Sequence, residues 1–267
     1  MTPTLMLTLA AFVLLALIIA VLVRTTRLRL WQGVLLLLLP LLLANLVWFS
    51  WLQPQQQRAA RVAQAEKSLA EAPGYRVLKT QEPALWQLLE QELAHKLHQG
   101  ETLPVALGEL RGMLADVVNR RLTRAGDASV IGYVAISVKE MQALQRQDPQ
   151  RCFRFLFPQI SGEVNLAERL SPQLNQQDAD AMERLLLDST GAERAVDMTQ
   201  ARDTLQQLVA NLYVKWGDKL KQLSMPADAA PDRAAMCAMS IDLYRAILAL
   251  PDKQAANLLR KMMAPSG

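Results

Sequence analysis

The sequence predicts an all-α protein in which a two-helix transmembrane hairpin, residues 1–52, precedes a soluble helical bundle. Two apolar runs, residues 5–23 and 30–52, are joined by a short link that contains arginines. In the remainder of the chain, capping residues, prolines and glycines recur at the spacing of helix starts and stops. We therefore expect an anchor followed by a helical stalk, residues 53–74, and a soluble α-helical domain, residues 75–267.

The two apolar runs have the length and the flanking residues of membrane-spanning helices. The first run has roughly 19 uncharged residues, and about 1.5 Å of rise per residue is enough to cross a hydrocarbon core of about 30 Å. The second run has Trp31 at one end and Trp48 and Trp51 at the other, where aromatic rings favour the headgroup level. Both runs are predicted to cross the bilayer.

Positive charge in the link predicts the orientation of the hairpin. Arg24, Arg27 and Arg29 favour a cytoplasmic link, because basic residues next to a span resist translocation. Arg58 and Arg61 oppose this orientation, but they lie further from the membrane. We expect an integral inner- or plasma-membrane protein with an extracytoplasmic domain, periplasmic in a Gram-negative cell.

The net charge of +4 is a property of the anchor rather than of the domain. No acidic residue precedes residue 53, so the three link arginines leave 26 basic against 25 acidic residues in the rest of the chain. A nucleic-acid-binding domain would concentrate basic residues on one face. We predict as partners the lipid bilayer and a protein at the membrane surface, with no nucleic acid and no cofactor.

Helix signals follow one another from residue 80 onward. Thr80 is a predicted cap for a helix that Pro83 enters in its first turn and Gly100 ends. The next helix covers residues 104–124, with Gly126 as its stop. Asp148 before Pro149 and Ser171 before Pro172 predict the starts of two further helices.

The segment 130–138 is ambiguous, because β-branched residues crowd it while its valines also keep helical spacing. We favour a helix. A small β element that pairs it with residues 75–80 is the alternative.

Two later helices carry the strongest apolar patterns. Over residues 198–223, the apolar side chains fall within a sector of roughly 140°. The helix over residues 232–250 is apolar over a wider arc, which predicts a central place in the bundle. Pro251 ends it, and a last short helix carries Met262 and Met263.

The only two histidines lie one turn apart, and they define the one candidate metal site. Glu92, His95 and His98 have the spacing to place a carboxylate and two imidazoles near one ion. They point away from the apolar stripe of their helix, however, which favours a solvated face instead.

Cys152 and Cys237 are the only cysteines, and both have apolar neighbours in sequence. Two buried thiols are one interpretation. In an oxidising compartment, a disulfide between two helices is the other.

Arg120, Arg121 and Arg124 form a basic cluster at the end of their helix, where the helix dipole favours positive charge. Contact with anionic lipid or with an acidic partner is the functional interpretation.

No motif in the sequence identifies an activity. The leading hypothesis is a membrane-anchored helical interaction protein, a scaffold or assembly factor. The alternative is a membrane-anchored envelope hydrolase or metal-dependent enzyme that uses Glu92, His95 and His98. A third hypothesis is a ligand-binding sensor whose pocket is lined by methionines, which adapt to varied apolar ligands. The candidates for that pocket are Met236, Met239, Met262 and Met263.

Overall fold

The computed structural model describes residues 17–18, 21, 30–162, 164–225, 227 and 232–263. By the contacts within it, the chain divides into two compact units, residues 1–63 and 64–267. The described part of the chain is entirely helical or irregular. The prediction of an all-α protein is therefore confirmed for these residues.

The first unit contains helix α1, Leu30–Val47, with Pro40 inside it, and a π-helical turn, Trp48–Leu52. Helix α2, Gln53–Glu71, begins there and continues into the second unit. Of the first predicted span, 5–23, only Leu17, Ile18 and Val21 are described. Among the described residues, no helix combines the length and the apolar character needed to cross a membrane.

The second unit is a bundle of helices joined by short turns. Its helices in chain order are α3 (Tyr75–Gln81), α4 (Pro83–Gln99), α5 (Leu103–Arg121), α6 (Asp127–Gln147), α7 (Pro149–Leu156), α8 (Pro158–Ser161), α9 (Leu166–Arg169), α10 (Pro172–Asp188), α11 (Met198–Trp216), α12 (Arg233–Leu248) and α13 (Asp252–Met263), with a 3₁₀ helix, Gly217–Ser224, after α11.

The predicted caps set several of these boundaries. The Asp148 carboxylate accepts a hydrogen bond from the Gln150 backbone N–H at 2.9 Å, and the Ser171 hydroxyl accepts one from Leu174 N–H at 3.3 Å. Each cap satisfies a donor that the first turn of a helix leaves without a partner, and proline at the next position needs none. Gly100 ends α4 in the left-handed conformation, with φ of 94°.

One alternative that the sequence left open is excluded, and two expectations are wrong. Residues 75–80 and 130–138 lie in α3 and α6, so the small β element is absent from the described chain. Thr80 is not a cap: it lies inside α3, and its hydroxyl donates to Val77 O at 2.9 Å. The helix predicted over 198–223 ends at Trp216, because Gly217 has a positive φ of 53° and the chain continues as a 3₁₀ helix.

Helix α6 lies at the centre of the bundle. It packs against α7, α10, α12 and α13, and its buried side chains cover more than half of its circumference. They are Val130, Tyr133, Val134, Ile136, Val138, Glu140, Met141 and Leu144. The core of the second unit also includes Ala65 and Leu69 near the end of α2, before the predicted domain start at residue 75.

Candidate functional site

Three helices bring one arginine and two carboxylates together in the interior of the bundle. Arg111 on α5 donates to Asp178 Oδ2 on α10 from Nε at 3.0 Å and from Nη2 at 2.6 Å. The same Nη2 lies 3.6 Å from Oε1 of Glu140 on α6. This group of three residues, the buried ion cluster, therefore joins α5, α6 and α10 at one point.

The two carboxylates of the cluster are not equivalent. Glu140 is fully buried, and neither of its oxygens has a hydrogen-bond partner among the described residues. Burial, and then the negative charge of Asp178, raise the pKa of Glu140 to about 8. Burial also raises the pKa of Asp178, but the charge of Arg111 and its two hydrogen bonds to Oδ2 act in the opposite direction. We therefore assign the negative charge at neutral pH to Asp178 and the proton to Glu140.

Two tyrosines lie next to this cluster and are nearly buried. Tyr75 and Tyr133 have exposed fractions of 8% and 9%. Burial is the main cause that raises the pKa of both hydroxyls, and the charge of Asp178 adds to it. Both phenols stay protonated at any physiological pH and can donate hydrogen bonds.

A cavity of about 550 Å³ opens beside the cluster, and Arg111 and Tyr133 form part of its wall. We call it the arginine cavity. Its volume lies in the range of small-molecule sites. Residues of α5, α6, α7, α12 and α13 surround it. Its polar wall includes Arg111, Asn119, Tyr133, Ser137 and Arg154, and its apolar wall includes Met141, Leu156, Leu166, Met262 and Met263.

The wall of the arginine cavity carries two arginines that can donate hydrogen bonds. Arg111 uses Nε and Nη2 for Asp178, while its Nη1 donates to no described residue and its side chain stays 22% exposed. Arg154, at the rim, forms no ion pair with the described residues. Asp116 is the acidic residue of the wall, and it is exposed. The cavity can therefore hydrogen-bond an acceptor group.

A glycine on α5 lets a loop residue approach this wall closely. A Cβ built on Gly108 would overlap the side-chain amide of Asn165, so no larger residue fits there without a shift. Both Gly108 and the neighbouring Leu166 line the cavity. The glycine therefore helps to fix the loop before α9 at the edge of the site.

Helix α11 presents a second candidate surface. It buries only Ala201 and Leu208, while Val209 is 42% and Tyr213 51% exposed. Leu205 and Leu212 are half-buried beside them. We call these four residues, Leu205, Val209, Leu212 and Tyr213, the α11 flank. They lie on adjacent turns, so the flank is a continuous apolar strip.

The structure supports one of the two interpretations of the cysteines. Cys152 on α7 and Cys237 on α12 form a disulfide, with a Cα–Cα distance of 5.9 Å. Both residues are buried, and they lie in a cluster with Val138, Met141 and Leu144 of α6. The bridge therefore ties together two helices that both pack against the central one.

The methionines of the predicted pocket separate into two places. Met262 and Met263 line the arginine cavity, together with Met141. Met236 and Met239 are fully buried in a different cluster, against Phe153. Only two of the four methionines that the sequence predicted to line one pocket therefore line the arginine cavity.

The predicted metal ligands do not converge. The His98 Nδ1–H donates to Ala94 O at 2.6 Å, and the Gln99 amide donates to His95 Nε2 at 2.8 Å. Glu92 pairs with Lys96 at 3.5 Å. In the described part of the chain, no group of three or more Cys, His, Asp or Glu residues is arranged to hold a metal ion.

The three arginines at the end of α5 have different environments. Arg120 and Arg124 are exposed. Arg121 is 14% exposed and donates to Glu82, at 2.5 Å, and to Gln81. It therefore links the end of α5 to the start of α4. These hydrogen bonds explain why a charged side chain is mostly buried at this position. Only Arg120 and Arg124 remain open to a lipid or an acidic partner.

Sequence reasoning missed the buried ion cluster. Its residues lie on three helices that are far apart along the chain. Arginine, aspartate and glutamate are also residue types that usually lie at a protein surface. One signal was present: Glu140 lies between Ile136 and Leu144 on the buried arc of α6. A carboxylate there requires a buried partner or a proton.

No family model, no curated protein and no solved structure matches this chain.

Proposed function

We propose that the chain is a membrane-anchored helical interaction protein that presents its second unit outside the cytoplasm. The observation that carries this proposal is the α11 flank. A helix with a wide apolar stripe normally buries it, and an uncovered strip of apolar side chains is typical of a protein interface. The expected partner is a protein at the membrane surface that covers Val209 and Tyr213.

Exposed apolar side chains in the first unit support the anchor. Several apolar side chains described between residues 35 and 52 are more than half exposed. They include Leu42 at 66%, Leu46 at 65%, Trp51 at 63% and Phe49 at 62%. Such a surface is unfavourable in water and favourable in lipid, with aromatic residues at the headgroup level. Together with the apolar run 5–23, it fits a membrane hairpin.

The disulfide supports the orientation. Disulfides persist in extracytoplasmic compartments and are rare in the cytosol. The Cys152–Cys237 bridge therefore agrees with the arginine-rich link being cytoplasmic, which is an independent criterion. Both support the proposal that the domain lies outside the cytoplasm.

Photocross-linking of the full chain in its native membranes tests the interaction. The photoreactive residue p-benzoylphenylalanine replaces Val209 in one variant and Val214 in the matched control. Val214 is also an exposed valine of α11, but it is turned by about 140° around the helix axis. We expect a protein adduct from position 209, identified by mass spectrometry, and a much weaker one from position 214.

A second substitution makes the cross-link specific. Tyr213→Ser, combined with the photoprobe at 209, removes an aromatic anchor next to the probe and should reduce the adduct several-fold. Equal adducts at 209 and 214, or an adduct that Tyr213→Ser leaves unchanged, would contradict the proposal. A second copy of the chain in the adduct would identify the interaction as self-association.

The alternative of a metal-dependent hydrolase has less support. Glu92, His95 and His98 have separate partners and lie outside the arginine cavity. Metal analysis of the purified full chain tests this alternative, with His95→Ala and His98→Ala as the variants that should lose any bound ion.

A further inference from the structure

We propose that the arginine cavity binds a small amphiphilic monocarboxylate, whose carboxylate lies against Arg111 and whose apolar chain lies along the methionines of α13. The site is separate from the α11 flank, because none of the flank residues lines the cavity. The proposal therefore stands or falls independently of the proposed protein partner.

The orientation of Arg111 carries the first step. Asp178 binds Nε and Nη2 on one edge of the guanidinium and fixes its plane. Arg111 also lines the cavity, and its Nη1 donates to no described residue. A guanidinium has five N–H donors, so an arginine that is fixed on one edge can still bind a carboxylate on the other. The buried ion cluster thus holds the Arg111 guanidinium in a fixed orientation.

Further donors line the same cavity. Tyr133 lies on the same wall, and its nearly buried hydroxyl stays protonated. Arg154 stands at the rim without an ion pair among the described residues. Both can donate to a second acceptor atom of the same head group.

The charges near Arg111 accept one negative charge on the ligand more readily than two. Asp178 already neutralises Arg111, and Asp116 adds a negative charge on the exposed part of the wall. Arg154 offsets the charge of Asp116, so these four groups sum to zero before a ligand binds. A phosphate dianion would meet more repulsion, and an ammonium group would find few acceptors.

The apolar residues of the lining define the rest of the ligand. Met141, Met262 and Met263 and the neighbouring Leu156 and Leu166 present flexible apolar side chains. Methionine adapts its shape to varied apolar partners. Such a wall accepts a hydrocarbon chain without selecting one shape.

Methyl NMR on the full chain in lipid nanodiscs tests the site, with methionine methyl groups labelled with ¹³C. The probe is octanoate, and octanol and octylammonium of the same chain length are the comparison compounds. We expect octanoate to shift the Met141, Met262 and Met263 methyls saturably. Met236 and Met239, which are buried elsewhere, are internal controls and should not move.

Three variants sharpen the result. Arg154→Gln should weaken octanoate binding about tenfold, the effect of losing one charge-assisted hydrogen bond. Ala115→Phe places a ring on the cavity wall and should abolish the shifts. Arg146→Gln is the control, because Arg146 is exposed and lies outside the cavity. Unchanged Met236 and Met239 signals will show that each variant is folded.

The outcomes are distinct. Octanoate binding at least tenfold tighter than octanol or octylammonium supports the carboxylate site. Equal binding of octanol or octylammonium, or no saturable shift, overturns it. Nanodiscs that contain oleic acid separate the sources of the ligand: shifts of the same methyls there indicate a membrane-derived fatty acid, and shifts with octanoate alone indicate a soluble carboxylate.

Discussion

Helices α6 and α11 are of similar length but have opposite roles in the bundle. The sequence of α6 is ambiguous between helix and strand, yet α6 is the central helix and buries side chains over most of its surface. The sequence of α11 has the clearest helical stripe, yet α11 buries only Ala201 and Leu208. An apolar stripe shows that a helix has a face that other helices can bury. Whether that face is buried depends on how the neighbouring helices pack.

The largest expected effect concerns the ion cluster that α6 shares with α5 and α10. Arg111→Ala leaves Asp178 and Glu140 buried without their cation, and this should lower the free energy of unfolding by about 3–5 kcal/mol. Urea unfolding followed by circular dichroism measures it. Arg146→Ala, the exposed control at the end of α6, should change the free energy by less than about 0.5 kcal/mol. An effect of Arg111→Ala as small as that of the control would contradict the role of the cluster.

The disulfide beside α6 should have the next largest effect. Replacing Cys152 and Cys237 by Ser removes a bridge with a sequence separation of 85 residues, which should lower stability by roughly 2–4 kcal/mol. Urea unfolding of the variant pair and of the reduced wild-type protein should give the same loss. If reduction leaves the wild-type transition unchanged, the bridge does not hold α7 and α12 together.

The raised pKa of Glu140 predicts that the free energy of unfolding depends on pH. Its pKa rises from 4.5 to about 8 on folding, so the folded protein binds more protons than the unfolded chain between these values. Stability from this group is therefore present at low pH and is lost as pH rises through about 8. Glu140→Gln, which resembles the neutral acid, should be more stable than the wild type at pH 9 and similar at pH 5.

Unfolding curves at the two pH values measure this difference. For one proton, the slope can reach about 1.4 kcal/mol per pH unit. Glu193→Gln on the surface is the control and should leave the pH dependence unchanged. If Glu140→Gln keeps the wild-type slope, Glu140 is ionised in the folded protein.

The smallest expected effect is on α11. Val209→Ala, in the exposed flank, should change the free energy of unfolding by less than about 0.5 kcal/mol. Its neighbour Leu208 is 8% exposed, and Leu208→Ala should cost about 2–3 kcal/mol. Similar losses for the two variants would mean that the flank is part of the core.

Much of the helix order could be predicted, because local chemistry determines it. Asp148 and Ser171 cap the helices whose first residues are Pro149 and Pro172, and Gly100 ends α4 as expected. These signals act within one helical turn. Segment 130–138 is a helix for the reason that favoured it, the helical spacing of its valines, although β-branched residues alone would also allow a strand.

The site could not be predicted to the same extent, because its residues meet only through packing. Arg111 and Asp178 become partners when α10 packs on α5, which no local pattern specifies. Likewise, the sequence grouped Arg121 with Arg120 and Arg124 but could not show that Gln81 and Glu82 accept its hydrogen bonds. The methionine pocket was only partly predicted for the same reason. Helical spacing does not show which cluster of side chains each methionine joins.

Two tyrosines provide the most direct test of the contrast between α6 and α11. Tyr213 of the flank is 51% exposed, whereas Tyr133 of α6 is 9% exposed. Hydroxyl-radical footprinting with mass spectrometry can compare both residues in native membranes and in the purified full chain in nanodiscs. We predict fast oxidation of Tyr213 in the purified chain, several-fold protection of it in native membranes, and slow oxidation of Tyr133 in both. Equal oxidation of Tyr213 in the two preparations would contradict a partner on the α11 flank.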